Sequence, residues 1–151
     1  MGSSKALQIL GVSGDALGWQ IANAGDVNKD GFDDIIIGAP GTSYTYGKVY
    51  VIYGKADFSF SNIHLSSLDP TTGFKIRGAV VGDGFGSSVA GAGDVNGDGF
   101  ADLVIGAPKK LLNQGGVYVI YGKANLANIE LPWLSSSLSL SVGFLITGDS
   151  Y

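Results

Sequence analysis

The chain contains no cysteine, which rules out disulfide bridges and thiolate metal sites. Charge is scarce too: only 15% of the 151 residues are Asp, Glu, Lys or Arg, and the net charge is −4. A nucleic-acid partner requires clustered Lys and Arg, so that class is excluded. There is one histidine, His64. A Ser-His-Asp hydrolase would have to use it, yet it lies in a poorly repeated linker where the second copy carries Glu130. The chain is therefore expected to be non-catalytic. Sustained helical periodicity is absent as well. The longest uncharged stretch, residues 131–148, is interrupted by five serines, a proline and two glycines. It reads as a polar loop running into a strand, with no membrane insertion. The opening Met-Gly-Ser-Ser lacks the basic and apolar regions of a signal peptide and reads as an expression remnant.

Glycine is plentiful (25 residues), and β-branched and aromatic residues fill the apolar runs. That profile predicts short strands joined by tight turns. A chain of this length buries about two thirds of its unfolded surface, enough for one sizeable core.

The strongest signal is internal repetition. Residues 26–40 (DVNKDGFDDIIIGAP) and 94–108 (DVNGDGFADLVIGAP) agree at 11 of 15 positions and lie 68 residues apart. VYVIYGKA occurs at both 49–56 and 117–124. Gly73–Gly78 is echoed at Gly143–Gly148 and, near the N-terminus, at Leu7–Gly11. Four strands are predicted per unit, near 17–24, 33–38, 47–53 and 74–77 in the first and 86–92, 102–106, 116–121 and 144–147 in the second. The linkers 55–72 and 123–142 share only Asn-Ile-x-Leu and read as long excursions with one helical turn.

Four short antiparallel strands repeated at a fixed period are the mark of propeller blades. The fold class is thus all-β, with two four-stranded antiparallel blades per chain; a plain two-sheet sandwich is the alternative. The divisions are 1–14 (expression remnant plus an extra outer strand), 15–78 (first blade), 79–148 (second blade) and 149–151 (tail). Two blades leave two outer faces uncovered, so the chain is expected to join a homo-oligomer or the remaining blades of a parent propeller. The strand at 7–10 is expected to pair with another chain, displace residues 144–147 of a neighbour, or fray.

Each Asp-Val-Asn-x-Asp-Gly-Phe-x-Asp run sets oxygen ligands at alternate positions around a glycine turn, as a hard cation requires. The first loop offers the side chains of Asp26, Asn28, Asp30 and Asp34 and the carbonyl of Phe32. The second offers Asp94, Asn96, Asp98 and Asp102 and the carbonyl of Phe100. Three carboxylates, one amide and one carbonyl suit Ca²⁺, two sites per chain; Mg²⁺ wants a smaller octahedral cage, and Zn²⁺ wants His or Cys. An EF-hand would place Glu at position 12, where Ile37 and Ile105 stand instead, inside strand runs. The competing reading is a pair of Asx-rich turns that hold no metal.

Other residues carry weaker expectations. Gly82–Gly86 reads as a turn leading into a strand, not a phosphate cradle. In the pairs Tyr50/Tyr53 and Tyr118/Tyr121 the rings face opposite sides of a strand, with one of each pair packed between blades. Trp19 is expected in the core, Trp133 exposed, and Lys109 and Lys110 at a solvated hairpin tip.

Phe85-Gly86 with Gly106-Ala107-Pro108, and Leu17-Gly18 with Gly38-Ala39-Pro40, give the repeat a resemblance to the FG-GAP repeat of integrin α-subunit propellers and related secreted bacterial proteins. Leu17 departs from the aromatic. The resemblance implies a four-stranded blade with a calcium loop between its first two strands. It also implies a seven-bladed ring with structural calcium on one face and ligands on the other. The expected role is an adhesion or interaction scaffold with a protein or carbohydrate ligand. The alternatives are an accessory segment of a larger secreted enzyme and a purely structural self-assembling repeat. Calcium modules of this kind bind at roughly 10⁻⁴–10⁻³ M, which points to an extracellular or cell-surface setting.

Overall fold

The structure, a computed structural model, describes residues 7–57, 62–132, 139 and 141–148. Trp133 and much of the second linker lie outside them. Among the described residues eleven strands follow one another: β1 (Ile9–Leu10), β2 (Gln20–Gly25), β3 (Asp34–Ala39), β4 (Tyr46–Ile52), β5 (Ile63–His64), β6 (Gly73–Val81), β7 (Ser88–Gly93), β8 (Asp102–Ala107), β9 (Gly116–Ile120), β10 (Ile129–Glu130) and β11 (Gly143–Thr147).

They build the two expected blades. In the first, β2, β3, β4 and β6 pair antiparallel in that order; in the second, β7, β8, β9 and β11 do the same. Each first hairpin carries a bulge at its loop end, between Asn23 and Gly25 and between Gly91 and Gly93. Gly25 and Gly93 take positive φ there (72° and 71°), a conformation that suits glycine. The initial residues of both predicted first strands are turn, and β6 runs on to Val81.

Two apolar clusters follow from strand alternation. Ile36, Val49, Val51, Phe74 and Ile76 on one face of the first blade meet Phe85, Val89, Leu103, Ile105, Tyr118 and Ile120 of the second. The opposite face of the first blade packs Ile37, Tyr50 and Ile52 against Ile63, Leu65, Leu7, Ile9 and Leu17. The tyrosine expectation holds in both pairs: Tyr118 packs edge-on to Phe85 at 5.3 Å between the blades, and Tyr53 joins the same cluster beside Phe74 while Tyr50 faces the outer one.

The described parts of the linkers hold more than the one expected helical turn. Each adds a two-residue parallel strand to the unit before it: β10 pairs with β6 (Ile129↔Ile76, Glu130↔Arg77), and β5 pairs with β1 (Ile63↔Ile9, His64↔Leu10). The register is the same in both, since Ile9 and Ile76 are equivalent positions of the repeat. The N-terminal strand therefore finds its partner inside its own chain. A single 3₁₀ turn at Leu65–Ser67 supplies the helical turn anticipated in the first linker.

Two further expectations fail. Trp19 is 68% exposed, because it sits in the turn ahead of β2 and outside the pleat. Lys110 is only 2% exposed: a left-handed turn, with positive φ at Leu111, Leu112 and Asn113, swings it inward. Its ammonium lies 5.4 Å from the centre of the Tyr118 ring. Lys109 is exposed, as expected.

Candidate metal centres

Both acidic loops connect the first two strands of their blades, β2 to β3 and β7 to β8. Asp26 accepts the Asp30 N–H on Oδ1 (3.0 Å) and the Gly31 N–H on Oδ2 (2.9 Å). Asn28 Oδ1 also accepts the Asp30 N–H (3.1 Å), its Nδ2 donates to Asp30 Oδ2 (2.8 Å), and Asp30 Oδ1 accepts the Phe32 N–H (2.9 Å). The second loop repeats every one of these bonds through Asp94, Asn96, Asp98, Gly99 and Phe100. Gly31 and Gly99 turn the chain at φ 93° and 87°.

The ninth residue behaves differently. Asp34 is buried; its Oδ2 accepts the Val27 N–H (2.9 Å) and its Oδ1 the Gly54 N–H (2.8 Å). Asp102 does the same for Val95 (2.8 Å) and Gly122 (2.9 Å). Each acid thus clamps its loop to the glycine that follows the third strand. Burial pushes the Asp34 carboxyl up to about 6, against the pull of the Gly54 and Val27 amides; the charges of Asp30 and Asp26 push in the same direction as burial. Burial likewise raises Tyr53 to about 12, with Asp34 and Asp30 adding to it.

Among the described residues, no three acidic or histidine side chains gather into a formed cage. Asp26, Asn28 and Asp30 share one hydrogen-bond network, whereas Asp34 turns inward. In donor chemistry the residues fit a hard cation. They offer carboxylate and amide oxygens only, and each carboxylate oxygen of Asp26 and Asp30 accepts one hydrogen bond, leaving lone-pair capacity free. Phe32 and Phe100 follow the turning glycines directly.

The two loops touch. The Ala101 N–H donates to the backbone carbonyl of Asp26 (3.1 Å), and the Lys29 ammonium stands 5.1 Å from the centre of the Phe100 ring. Lys29 holds φ 63°, a conformation taken by Gly97 in the other loop.

The FG-GAP repeat profile matches residues 17–52 and 85–120, the two blades from their Leu-Gly or Phe-Gly turn to the end of the third strand. The chain carries two FG-GAP repeats. Among curated relatives, integrin alpha pat-2 of Caenorhabditis elegans is 38% identical over 151 aligned positions, covering 90% of this chain and 12% of that protein. Phosphatidylinositol-glycan-specific phospholipase D of Bos taurus is 41% identical over 114, covering 70% of this chain and 13% of the relative. Integrin alpha-8 of Gallus gallus is 31% identical over 140. The chain thus spans about an eighth of the length of these relatives.

Several structural residues of the FG-GAP turn escaped the sequence reading. Asp15 and Asp83, two residues ahead of Leu17 and Phe85, are buried. Asp15 accepts from Lys48 Nζ (2.7 Å) and from the Tyr50 hydroxyl (3.0 Å). In the second blade Gly116 replaces Lys48, so Asp83 Oδ2 and the Tyr118 hydroxyl are buried without a hydrogen-bond partner, and Lys110 supplies the nearby positive charge. The shared Gly-Asp-x-apolar-Gly pattern was the available signal. His64 is exposed on β5.

Proposed function

We propose that this chain is a non-catalytic, calcium-braced FG-GAP scaffold that works in adhesion or protein–protein interaction outside the cell. The observation that carries the reading is the duplicated loop: two oxygen-only donor sets, built on one hydrogen-bond pattern, each at the first hairpin of a blade. Asp26, Asn28 and Asp30, with Asp94, Asn96 and Asp98, would hold the ion, with the Phe32 and Phe100 carbonyls alongside. Asp34 and Asp102, turned inward, anchor these donor sets to Gly54 and Gly122. When bound, the ion neutralises carboxylates that otherwise repel one another and so stabilises the folded chain. Weak affinity of about 10⁻⁴–10⁻³ M fits a setting of high free calcium.

Thermal unfolding with and without calcium tests this. With calcium at about ten to a hundred times Kd, each site adds ~1–3 kcal/mol, a rise in Tm of several degrees that magnesium does not match. An unchanged Tm in calcium and in chelator would reject the reading.

A second reading rests on the phospholipase D relatives: the chain would be an accessory propeller segment of a larger secreted enzyme, with catalysis elsewhere. The residues flanking this segment in its parent gene distinguish the two.

A further inference from the structure

The interface between the two blades is a template for what the outer faces can bind. On the first blade Val49, Val51, Phe74 and Ile76 are fully covered by the second. Their repeat equivalents on the second blade are Val117, Val119, Phe144 and Ile146. Ile146 is 55% exposed and Val117 and Phe144 are exposed at its side, whereas Val119 is buried. The opposite face tells the same story in reverse. Val89 and Leu103 of the second blade are buried against the first, whereas their equivalents Ile21 (61% exposed) and Ile35 are open. Each outer face of the blade pair therefore displays one half of an interface whose two halves meet between the blades.

The socket is as specific as the surface. Phe85 inserts into a seat made for it: a Cβ on Gly78 would stand 2.8 Å from the Phe85 Cβ, and one on Gly38 or Gly47 would strike the backbone of Gly86 or Phe85. The equivalents of Gly38, Gly47, Val49, Ile76 and Gly78 are Gly106, Gly115, Val117, Ile146 and Gly148. All five line a single cavity of about 570 Å³ on the outer face of the second blade. The matching plug at the other end is Leu17, already pressed against Gly11, the N-terminal equivalent of Gly78.

We infer that a second copy of this chain docks head to tail, seating Leu17 in the cavity at Gly106, Gly115 and Gly148 and covering Val117 and Ile146 with Ile21 and Ile35. In this arrangement β11 of one copy takes the place of β1 in the next. The exchange is conservative, because Ile146 replaces Ile9 and Gly148 replaces Gly11 beside Ile63 and Leu17. Only two residues of ladder, Ile9–Leu10 on Ile63–His64, have to be given up. The contact is heterologous, so it leaves a head and a tail free for further copies.

The test is solution mass by light scattering across a concentration series, with melting curves to verify folding. Wild-type mass rises with concentration. Ile21→Asp spoils only the head and Ile146→Asp only the tail. Each alone stays at monomer mass, and their equimolar mixture forms a dimer and nothing larger. Leu17→Phe restores the aromatic and tightens association severalfold. Wild-type protein that stays monomeric at every concentration would overturn the inference, leaving the tail face to a following repeat in a longer chain. So would either aspartate variant assembling like wild type, or a mixture that stays monomeric.

Discussion

The Ala101 N–H reaches across the blade boundary to the carbonyl of Asp26, so the second acidic loop is hydrogen-bonded to the first residue of the other. The Lys29 ammonium over the Phe100 ring makes a second crossing in the same place. Ordering either loop thus orders part of its neighbour.

Amide exchange makes this measurable. In an Asp98→Asn variant, which weakens the second donor set, calcium still slows exchange of the Ala101 amide, because its acceptor belongs to the first loop. Hydrogen–deuterium exchange followed by NMR reads the rate directly. A calcium-insensitive Ala101 in that variant would mean that the loops are independent.

The clamp formed by Asp34 is separable from metal binding. Asp34→Ala strips the acceptors from the Val27 and Gly54 amides, and two buried donors left unsatisfied cost about 1–3 kcal/mol each. Asp34→Asn keeps one acceptor and loses less. Urea unfolding in chelator, where calcium contributes nothing, is expected to rank wild type above Asn and Asn above Ala.

Phe85 is the wedge between blades, fully buried against Gly78 and edge-on to Tyr118. Phe85→Ala is expected to cost ~3–5 kcal/mol, through lost burial plus the cavity left behind. Phe85→Leu, the residue found at position 17, costs less. Gly78→Ala forces a methyl to within 2.8 Å of the Phe85 Cβ and costs about 1–3 kcal/mol by overpacking. Equilibrium denaturation of the three variants gives the order.

Asp83 carries a pH signature. Burial, partly offset by the Phe85 amide and the Lys110 charge, holds its carboxyl above the ordinary value of 3.8. The folded state therefore binds this proton more tightly than the unfolded chain. The associated stability is present in full below that ordinary value and is lost as pH rises through the folded one. Asp83→Asn removes the loss, so its melting temperature improves relative to wild type as pH rises above about 4. A difference that does not change with pH would contradict the shift.

Much of the architecture was legible because it is written twice. The two copies of Asp-Val-Asn-x-Asp-Gly-Phe-x-Asp fix the first hairpin, and VYVIYG fixes the third strand, since β-branched and aromatic residues there have no helical alternative. β5 and β10 were not legible: two residues of parallel pairing leave no alternation to detect, and Asn-Ile-x-Leu gives no hint of its partner. Lys110 was misread because charge normally means solvent, and only the left-handed turn after Pro108 carries it over Tyr118. Trp19 was misread for the converse reason, as its bulk suggests a core but its place in a turn denies it one. The inward-facing clamps of Asp34 and Asp102 were hidden behind their candidacy as ligands, a role whose residue types the sequence does display.

β10 belongs to the stretch that leaves the second blade, yet it is bonded to the first, with Asn128 holding the Lys75 amide, Leu131 donating to the Arg77 carbonyl and Arg77 paired to Glu130. Force that strips β11 from β9 still meets a second hold at Ile129–Leu131, where a foreign sheet grips the chain. Covalent order and mechanical order are one step out of phase, so tension on the second blade is shared by the first.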